Sequence, residues 1–165
     1  MAKEVTVIGL ISDTHGLLRE EALRALEGSD LIVHAGDVGK PEIIDTLKTL
    51  APVVVVRGNI DKGAWASELP LTAIAGAGST SIYVLHDIQQ LDIDPSAAGI
   101  RVVVSGHSHK PSSVERSGIL YLNPGSAGPR RFRLPVTVAR LDLRQSLLRV
   151  DFIDLCNGAE QLTIP

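Results

Sequence analysis

Cysteine is nearly absent from this chain, and its scarcity excludes two kinds of protein. The 165 residues include 1 cysteine, Cys156, so no internal disulfide can form. A single thiol also excludes a zinc cluster built from cysteines. A chain without disulfides is typical of a reducing compartment, so we predict a cytoplasmic protein in which Cys156 is buried in the core of the last strand.

Aromatic residues and net charge are also low. Phe, Trp and Tyr make up 3% of the chain and the formal net charge is −3, so the sequence has neither the stacking platforms nor the basic surface of a typical nucleic-acid binder. The apolar run at 5–11 is too short, and too closely bounded by charged residues, to span a membrane. It also lacks the cleavage pattern of a signal peptide. We therefore predict neither a membrane nor a nucleic acid as a partner.

What the sequence does contain is a series of short apolar segments typical of a globular α/β protein. Hydrophobic residues make up 44% of the chain, which suits a single domain spanning residues 1–165. The patterns predict strands within 5–11, 30–37 and 52–59, with helices within 17–28 and 41–50. This β-α-β-α-β order predicts right-handed crossovers and a largely parallel sheet.

The second half of the chain is richer in strands. Segments 71–76 and 80–87 predict a hairpin, and four further segments predict strands, at 99–106, 112–123, 136–143 and 147–154. Tight turns are predicted at 115–118 and 143–146. The sequence therefore predicts an α/β fold in which two β-sheets pack together with helices outside.

Polar side chains follow these apolar strands at five separate points. They are Asp13 and His15, His34 and Asp37, Asn59 and Asp61, His86, and His107 and His109. In sheets of this kind, ligands bind beyond the carboxyl ends of the strands. Carboxylate, imidazole and amide groups together suit manganese, iron or zinc better than calcium. Because these ligands are more than one ion needs, we predict two ions, with one of the Asp carboxylates bridging them.

Each of these residues also has a simpler interpretation when taken alone. Asp37 could cap the helix that follows, Asn59 could occupy a left-handed turn, and His86 could be an exposed strand end. The occurrence of all of them at strand ends favours a metal site. His34 lies inside the second strand, so it is predicted to be packed or to support a ligand. Asp61 either orients a ligand or caps the following turn, and capping is favoured.

The ordered series Asp-x-His, Gly-Asp, Gly-Asn-x-Asp, His and Gly-His-x-His resembles the calcineurin-like metallophosphoesterases, specifically the small bacterial and archaeal phosphodiesterases of the YfcE type. The likeness covers nearly the whole chain, including Asn-Pro-Gly-Ser at 123–126. It implies a four-layer α/β/β/α sandwich in which two mixed sheets are flanked by helices. It also implies a hydrolase that acts on a small or nucleotide-like phosphoester through a water activated by two metal ions.

The resemblance distributes seven ligands over these two ions. One ion would be held by Asp13, His15, Asp37 and His109, and the other by Asp37, Asn59, His86 and His107. Asp37 would bridge them, and the implied catalytic residues are Asp37, Asn59 and His86. The implied ions are Mn²⁺ first, with Zn²⁺, Fe²⁺ or Ni²⁺ as alternatives. A homodimer or homotetramer is also implied.

Two positions depart from the family pattern. Ile60 stands where many relatives have a histidine, and it cannot give a proton to a leaving group. Asp87 follows His86 where the family more often has glycine, so it could hydrogen-bond a ligand or distort the turn. The first departure leaves an alternative function open. The chain would then be a metal-binding but weakly active or inactive protein-interaction scaffold of the same fold, like the small retromer subunit.

A cluster of arginines follows the Asn-Pro-Gly-Ser segment closely in the chain. It consists of Arg130, Arg131 and Arg133. Guanidinium groups suit phosphate recognition, so these side chains could reach a substrate. A solvated loop or an oligomer contact is the favoured interpretation.

Overall fold

The first part of the fold has the alternation of strand and helix that the sequence predicts. The computed structural model describes residues 4–144 and 147–157, together with the backbone of a last strand at 160–162. The first elements are β1 (Val7–Ile11), α1 (Glu20–Leu26), β2 (Leu31–His34), α2 (Pro41–Lys48) and β3 (Val53–Val55). Because β1, β2 and β3 pair in parallel, the predicted β-α-β-α-β unit is confirmed. Within the described residues no helix has the length and apolar character needed to cross a membrane.

The later part of the chain is mainly strand. After a short helix, α3 (Ala64–Ser67), the remaining strands are β4 (Thr72–Ala77), β5 (Thr80–Leu85), β6 (Val102–Val104), β7 (Ser112–Arg116), β8 (Ile119–Asn123), β9 (Thr137–Asp142), β10 (Arg149–Asp154) and β11 (Glu160–Leu162). The predicted hairpin is confirmed by the antiparallel pairing of β4 with β5. A second hairpin joins β7 to β8. The predicted turn at 143–146 includes residues outside the described ranges.

These strands form two mixed sheets that pack face to face. The first has 6 strands in the order β11-β10-β9-β1-β2-β3, and the second has 5 in the order β4-β5-β6-β8-β7. Fully buried side chains such as Leu10, Ile82 and Leu141 fill the space between them. Helices α1 and α2 cover the outer face of the first sheet, where Leu26 and Leu47 are fully buried. The predicted α/β sandwich of two packed sheets is therefore confirmed.

The outer face of the second sheet has a different cover from that of the first. A 3₁₀ helix (Ile88–Gln90) and the loop after it lie there, and Leu91 and Ile93 pack against the sheet. The side chain of Asp94 accepts hydrogen bonds from the backbone N–H groups of Ser96 and Ala97 in the next turn. Among the described residues this layer contains no α-helix.

The prediction that Cys156 lies in the core of the last strand is wrong. Strand β10 ends at Asp154, and the carboxylate of Asp154 accepts hydrogen bonds from the backbone N–H groups of Cys156 at 2.9 Å and Asn157 at 3.2 Å. This Asx-type turn ends β10 before Cys156, and the chain returns to the sheet at β11. Cys156 is consequently exposed.

The packing of the sheets brings their ligand-bearing edges together. Parallel pairing aligns the carboxyl ends of β1, β2 and β3 in one sheet, and of β5, β6 and β8 in the other. Hydrogen bonds then link the loops of the two sheets, among them contacts of His107 and His86. The backbone N–H of His107 donates to Asp13 Oδ2 at 3.1 Å, and His86 Nδ1 lies 2.8 Å from the carbonyl oxygen of Ala35. The loops beyond both edges therefore meet at one place.

Burial in the core between the sheets predicts that two truncations differ sharply in their effect on the free energy of unfolding. Leu141 is 0% exposed, so Leu141→Ala should lower the free energy of unfolding by about 3 kcal/mol, because it leaves a cavity between the sheets. Ile74 on β4 is 66% exposed, so Ile74→Ala should change it by less than about 0.5 kcal/mol. Urea unfolding of both variants tests this. Equal losses would contradict the packing described above.

Candidate metal centre

The predicted ligands leave their strands through strained backbone turns. Among the described residues, 7 non-glycine residues have positive φ, and 5 of them are predicted ligands: Asp13 at 53°, His15 at 46°, Asp37 at 53°, His107 at 68° and His109 at 61°. Such conformations are costly for residues with a side chain, and they cluster at functional sites. They turn the chain back just past each strand, so that the side chains point to a common centre.

One group of donors contains Asp13, His15 and His109. Asp13 Oδ1 lies 3.1 Å from His109 Nε2 and 3.6 Å from His15 Nε2. The two Nε2 atoms are themselves 3.3 Å apart. Asp13 Oδ1 is buried, and among the described residues no hydrogen bond of acceptable geometry reaches it, although His109 is near. A buried anionic oxygen facing two imidazole nitrogens has the arrangement that a cation requires.

A second group of donors contains Asn59, His86 and His107. His86 Nε2 lies 3.0 Å from Asn59 Oδ1 and 3.3 Å from His107 Nδ1, and the same nitrogen of His107 lies 3.2 Å from Asn59 Oδ1. Because the other ring nitrogen of His86 donates to the carbonyl of Ala35, Nε2 is the nitrogen that faces the group. The structure thus brings His107 and His109 into different groups, as the sequence analysis predicts.

Asp37 lies between the two groups. Its Oδ2 is 3.5 Å from His15 Nε2 in the first group and 3.3 Å from His86 Nε2 in the second. Its other oxygen accepts a hydrogen bond from the backbone N–H of Ile60 at 3.0 Å, which fixes the carboxylate plane. One carboxylate oxygen therefore faces both groups.

The donor set fits divalent metal binding. The ligating atoms of Asp13, His15 and His109 lie within 4.8 Å of one another, as do those of Asp13, Asp37 and His86. Neutral imidazoles and carboxylates are deprotonated donors, and the absence of sulfur from the set favours the harder first-row ions. The seven predicted ligands are all brought together, whether or not each holds a metal.

Electrostatics in this cluster depend on burial and on close partners. Burial opposes ionisation of Asp13, but His109, His15 and the Ser12 hydroxyl hold the pKa of that carboxyl well below its usual range. Burial likewise opposes ionisation of Asp37, yet its hydrogen bond with His86 lowers the pKa of the carboxyl. Burial would lower the pKa of His86, but the hydrogen bonds with Asp37 and Ala35, together with the charges of Asp13 and Asp37, raise it.

Asp61 supports the site instead of capping the turn that follows it, so the favoured prediction is wrong. It is 5% exposed, and its carboxylate accepts hydrogen bonds from Gly58 N at 2.8 Å, Gly39 N at 2.9 Å and Val38 N at 3.2 Å. Those amides belong to the loops that carry Asp37 and Asn59. Sequence alone could not reveal this, because the donors include residues 23 and 22 positions away.

His34 is a packed histidine that holds the first ligand loop, in agreement with its prediction. Its Nδ1 accepts a hydrogen bond from Gly36 N at 3.2 Å, and its Nε2 lies 2.9 Å from the Thr14 hydroxyl. Thr14 stands between Asp13 and His15, and its hydroxyl donates to a backbone carbonyl at 2.9 Å. Burial lowers the pKa of His34 to about 4, so the ring is neutral at pH 7.

Two glycines next to ligands are required for space. A Cβ on Gly58 would collide with the backbone N and Oδ1 of Asp37, and one on Gly106 would collide with the hydroxyl of Ser12. Neither glycine has positive φ, so neither is required by a left-handed turn. They let the loops approach the buried carboxylates closely.

Several residues that hold the predicted ligands and their loops in place were missed by the sequence analysis. Ser12 Oγ donates to Asp13 Oδ2 at 2.6 Å, and Ser126 Oγ donates to the carbonyl of Asp13 at 3.0 Å. Asn123 Nδ2 donates to the carbonyl of Gly106 at 2.9 Å and so fixes the loop of the paired histidines. Ser126 and Asn123 belong to Asn-Pro-Gly-Ser, so that segment was the available signal.

Asp87 and the arginine cluster lie outside the ligand set. Asp87 Oδ1 accepts a hydrogen bond from Gln89 N at 3.0 Å and so caps the 3₁₀ helix, while Oδ2 lies 3.9 Å from His107 Nε2. It therefore neighbours a predicted ligand without distorting the turn of His86. The arginine cluster consists of Arg130, Arg131 and Arg133. All three residues are exposed, as the favoured interpretation of a solvated loop or an oligomer contact predicts.

The comparisons with known proteins identify the family. Residues 7–146 match the model of the calcineurin-like phosphoesterase superfamily domain. A probable metallophosphoesterase of Methanothermobacter thermautotrophicus is 36% identical over 149 residues, which make up 82% of this chain and 86% of that protein. The chain therefore belongs to the calcineurin-like phosphoesterase superfamily, and the predicted resemblance is confirmed.

Solved structures share the fold. The phosphoesterase Yfce of E. coli gives a TM-score of 0.73 at 23% identity, covering 95% of this chain and 97% of that one. Wild-type Vps29 of Entamoeba histolytica complexed with Zn²⁺ gives 0.75 at 25% identity, covering 94% and 98%. Family and donor set together support a metal-dependent phosphoesterase that binds divalent metal.

The hydrogen bonds of Asp61 predict that it positions the ligand loops. Asp61→Ala leaves three backbone amides without their acceptor, so stability should fall by about 3 kcal/mol and metal affinity by about 10–100-fold. Calorimetric titration with Mn²⁺ and thermal unfolding measure the two effects. Asp92 is exposed, so Asp92→Ala is the matched control. Unchanged affinity in Asp61→Ala would show that the contacts do not position the ligands.

The raised pKa of His86 predicts that metal binding releases protons. In the metal-free protein the carboxylate of Asp37 favours protonated His86, so an ion must displace that proton, and affinity should fall as the pH falls below 7. Titration with Mn²⁺ in two buffers of different ionisation enthalpy counts the protons released. Asp37→Asn should release fewer protons than the parent protein. Asp92→Asn should release the same number of protons as the parent protein. Equal release from both variants would contradict the pairing of Asp37 with His86.

Proposed function

We propose that this chain is a metal-dependent phosphodiesterase with two divalent ions per chain, Mn²⁺ first. The position of Asp37 carries the proposal, because its Oδ2 lies 3.5 Å from His15 Nε2 and 3.3 Å from His86 Nε2. A carboxylate oxygen shared by two donor groups suits a dinuclear centre. One ion is held by Asp13, His15, Asp37 and His109, and the other by Asp37, Asn59, His86 and His107.

The residues of the chain have distinct tasks in this proposal. Two divalent ions, when bound, would supply an activated water and neutralise the charge that develops on the phosphoryl group. Asp37 is held in a fixed plane by the N–H of Ile60, and His86 is held in one tautomer by the carbonyl of Ala35. Asn59 is exposed, and the side chain of His107 is 48% exposed, so this half of the centre faces the solvent from which a substrate arrives.

The leaving group must be a good one. Ile60, which follows Asn59, is 38% exposed at the rim of the site, and its alkyl side chain cannot donate a proton. The departing oxygen would therefore leave as an anion or take its proton from water or another group. Esters of acidic hydroxyl groups, such as those of phenols, meet this requirement better than simple alkyl esters.

Two cavities beside the centre support a diester substrate over a monoester. They have volumes of about 400 Å³ and about 380 Å³, and Asp87 and His107 line both. A phosphodiester carries two substituents, and each cavity can receive one. The second cavity also contains Arg57 and Lys62, which favour an anionic substrate.

The proposal keeps the sequence-based predictions of domain organisation, location, partners and oligomeric state. We propose one domain over residues 1–165, a cytoplasmic location, a small phosphoester as the partner, and a homodimer or homotetramer. The low aromatic content and the net charge of −3 support the absence of a nucleic-acid partner. The native metal could also be Zn²⁺, Fe²⁺ or Ni²⁺, since each accepts nitrogen and oxygen donors.

A metal-binding scaffold with little or no activity is the second candidate. The lack of a proton donor at Ile60 favours it, because the site would then bind metal without efficient turnover. The likeness to Vps29 complexed with Zn²⁺ also supports a protein of this fold that holds metal. Turnover by the metal-loaded protein separates the two candidates.

The proposed function is tested by hydrolysis with defined metal content. Protein stripped of metal and reloaded with Mn²⁺ should hydrolyse bis(4-nitrophenyl) phosphate with a higher kcat/KM than 4-nitrophenyl phosphate. His107→Ala removes a ligand, so kcat/KM should fall at least about a hundredfold. The exposed Lys48 at the end of α2 gives the control Lys48→Ala, which should keep full activity.

Metal content and activity together decide between the candidates. Elemental analysis should give two ions per chain for the parent protein and fewer for Asp37→Asn. Bound metal with no hydrolysis of either ester would favour the scaffold. Full activity in His107→Ala would overturn the ligand assignment.

A further inference from the structure

The larger cavity beside the proposed centre extends across the outer face of the second sheet. Its volume is about 400 Å³, and it lies between the 3₁₀ helix on one side and strands β7 and β8 on the other. His107 and Ser108 line it at the end nearest the centre, and Arg116 lines it on β7. It is thus a slot that begins beside a predicted metal ligand and leads away from it.

The walls of this slot are apolar. Ile88 and Leu91 line it from the side of the 3₁₀ helix, and Val114 and Tyr121 line it from the sheet. Val114 and Tyr121 are direct partners in the β7–β8 ladder, so their side chains form one continuous surface. Ile88 is 40% exposed and Val114 is 41% exposed, so these walls are open to a ligand. Two facing apolar walls suit a flat organic group.

The strand register places a positive charge at the far end. Side chains of alternate residues on a strand share a face, so Ser112, Val114 and Arg116 all line the slot. Ser112 pairs with Asn123, which donates a hydrogen bond to Ser108 next to His107. Arg116 is four residues further along β7, which corresponds to roughly 13 Å at the rise of a strand. It is exposed, and no ion pair to it is formed within the described ranges.

We propose that this slot binds one substituent of the phosphodiester, a flat apolar group that carries an anion at the end remote from phosphorus. The assignment rests on the proposed function, because the slot can hold a substituent of the substrate only if the phosphoryl group binds beside His107. Ile88, Leu91, Val114 and Tyr121 pack against the flat group, and Arg116 pairs with the anion. Specificity therefore comes from a surface that holds none of the predicted metal ligands except His107.

The proposal is tested with three diesters that share the 4-nitrophenyl leaving group. The second substituent is methyl, biphenyl-4-yl or 4′-carboxybiphenyl-4-yl, and nitrophenolate release by the Mn²⁺-loaded protein gives kcat/KM for each. The parent protein should prefer the carboxybiphenyl diester to the biphenyl one, and both to the methyl one. Each preference should be about tenfold, the effect of a buried ring or of a charge-assisted hydrogen bond.

Two variants separate the walls from the charge. Val114→Trp fills the slot and should abolish the preference for both biphenyl diesters, while hydrolysis of the methyl diester stays unchanged. Arg116→Gln should remove only the tenfold advantage of the carboxylate. Ile74→Trp on the opposite edge of the same sheet and Glu115→Gln on the neighbouring residue of β7 are the matched controls, and both should keep the parent pattern.

A binding measurement gives a second readout that needs no turnover. The monomethyl ester of 4′-carboxybiphenyl-4-ylphosphonate is added to methyl-labelled protein, and NMR follows the methyl groups of Ile88, Leu91 and Val114. Their resonances should shift, whereas those of Ile74 should not. The shifts should be smaller in Arg116→Gln, because the anion then loses its partner.

The outcomes distinguish this proposal from the proposed function. Hydrolysis of the methyl diester with no preference among the three substituents, or with preferences that Val114→Trp leaves intact, overturns the slot and leaves the phosphodiesterase standing. Methyl shifts without hydrolysis of any diester support the slot as a ligand site and overturn the phosphodiesterase. Absence of both shifts and preference overturns the slot.

Discussion

Two negatively charged side chains are buried next to each other at the edges of the two sheets, and the surrounding structure must compensate for their charge. Asp13 is 0% exposed and Asp37 is 2% exposed, and both burial and the charge of Asp13 act to raise the pKa of the Asp37 carboxyl. Buried like charges are unstable without compensation. Imidazoles from both sheets provide part of this compensation, and bound divalent cations would provide the rest of the positive charge.

This compensation explains the unusual backbone around the site. Left-handed conformations at ligand residues aim their donors inward at a cost of about 1–3 kcal/mol each, so neighbouring residues must hold them. Asp61 binds the amides of two ligand loops, Ser126 binds the carbonyl of Asp13, and His34 holds Thr14. The strain is therefore concentrated where the metal-binding chemistry is, while the sheets beneath remain regular.

The fold was largely predictable because its signals are local. Apolar runs, helix periodicity and turn residues indicated the early strands and helices, and the β-α-β-α-β order implied parallel pairing. Cys156 was placed wrongly because Asp154 ends β10 through a side-chain turn before that residue. The cover of the second sheet was also missed in detail, since a 3₁₀ helix and a loop lie where helices were expected.

The sequence by itself determined which residue types stand at the strand ends, and so it indicated a metal site. That information is local, because a ligand is recognised by its chemistry and its position after an apolar run, whereas the grouping of the ligands around Asp37 came from the family resemblance. Only the tertiary structure decided the distances from Asp37 to the two donor groups and the support that Asp61 gives to their loops. Those relations depend on how two sheets pack across long sequence separations, and no spacing along the chain encodes the distance between two loops.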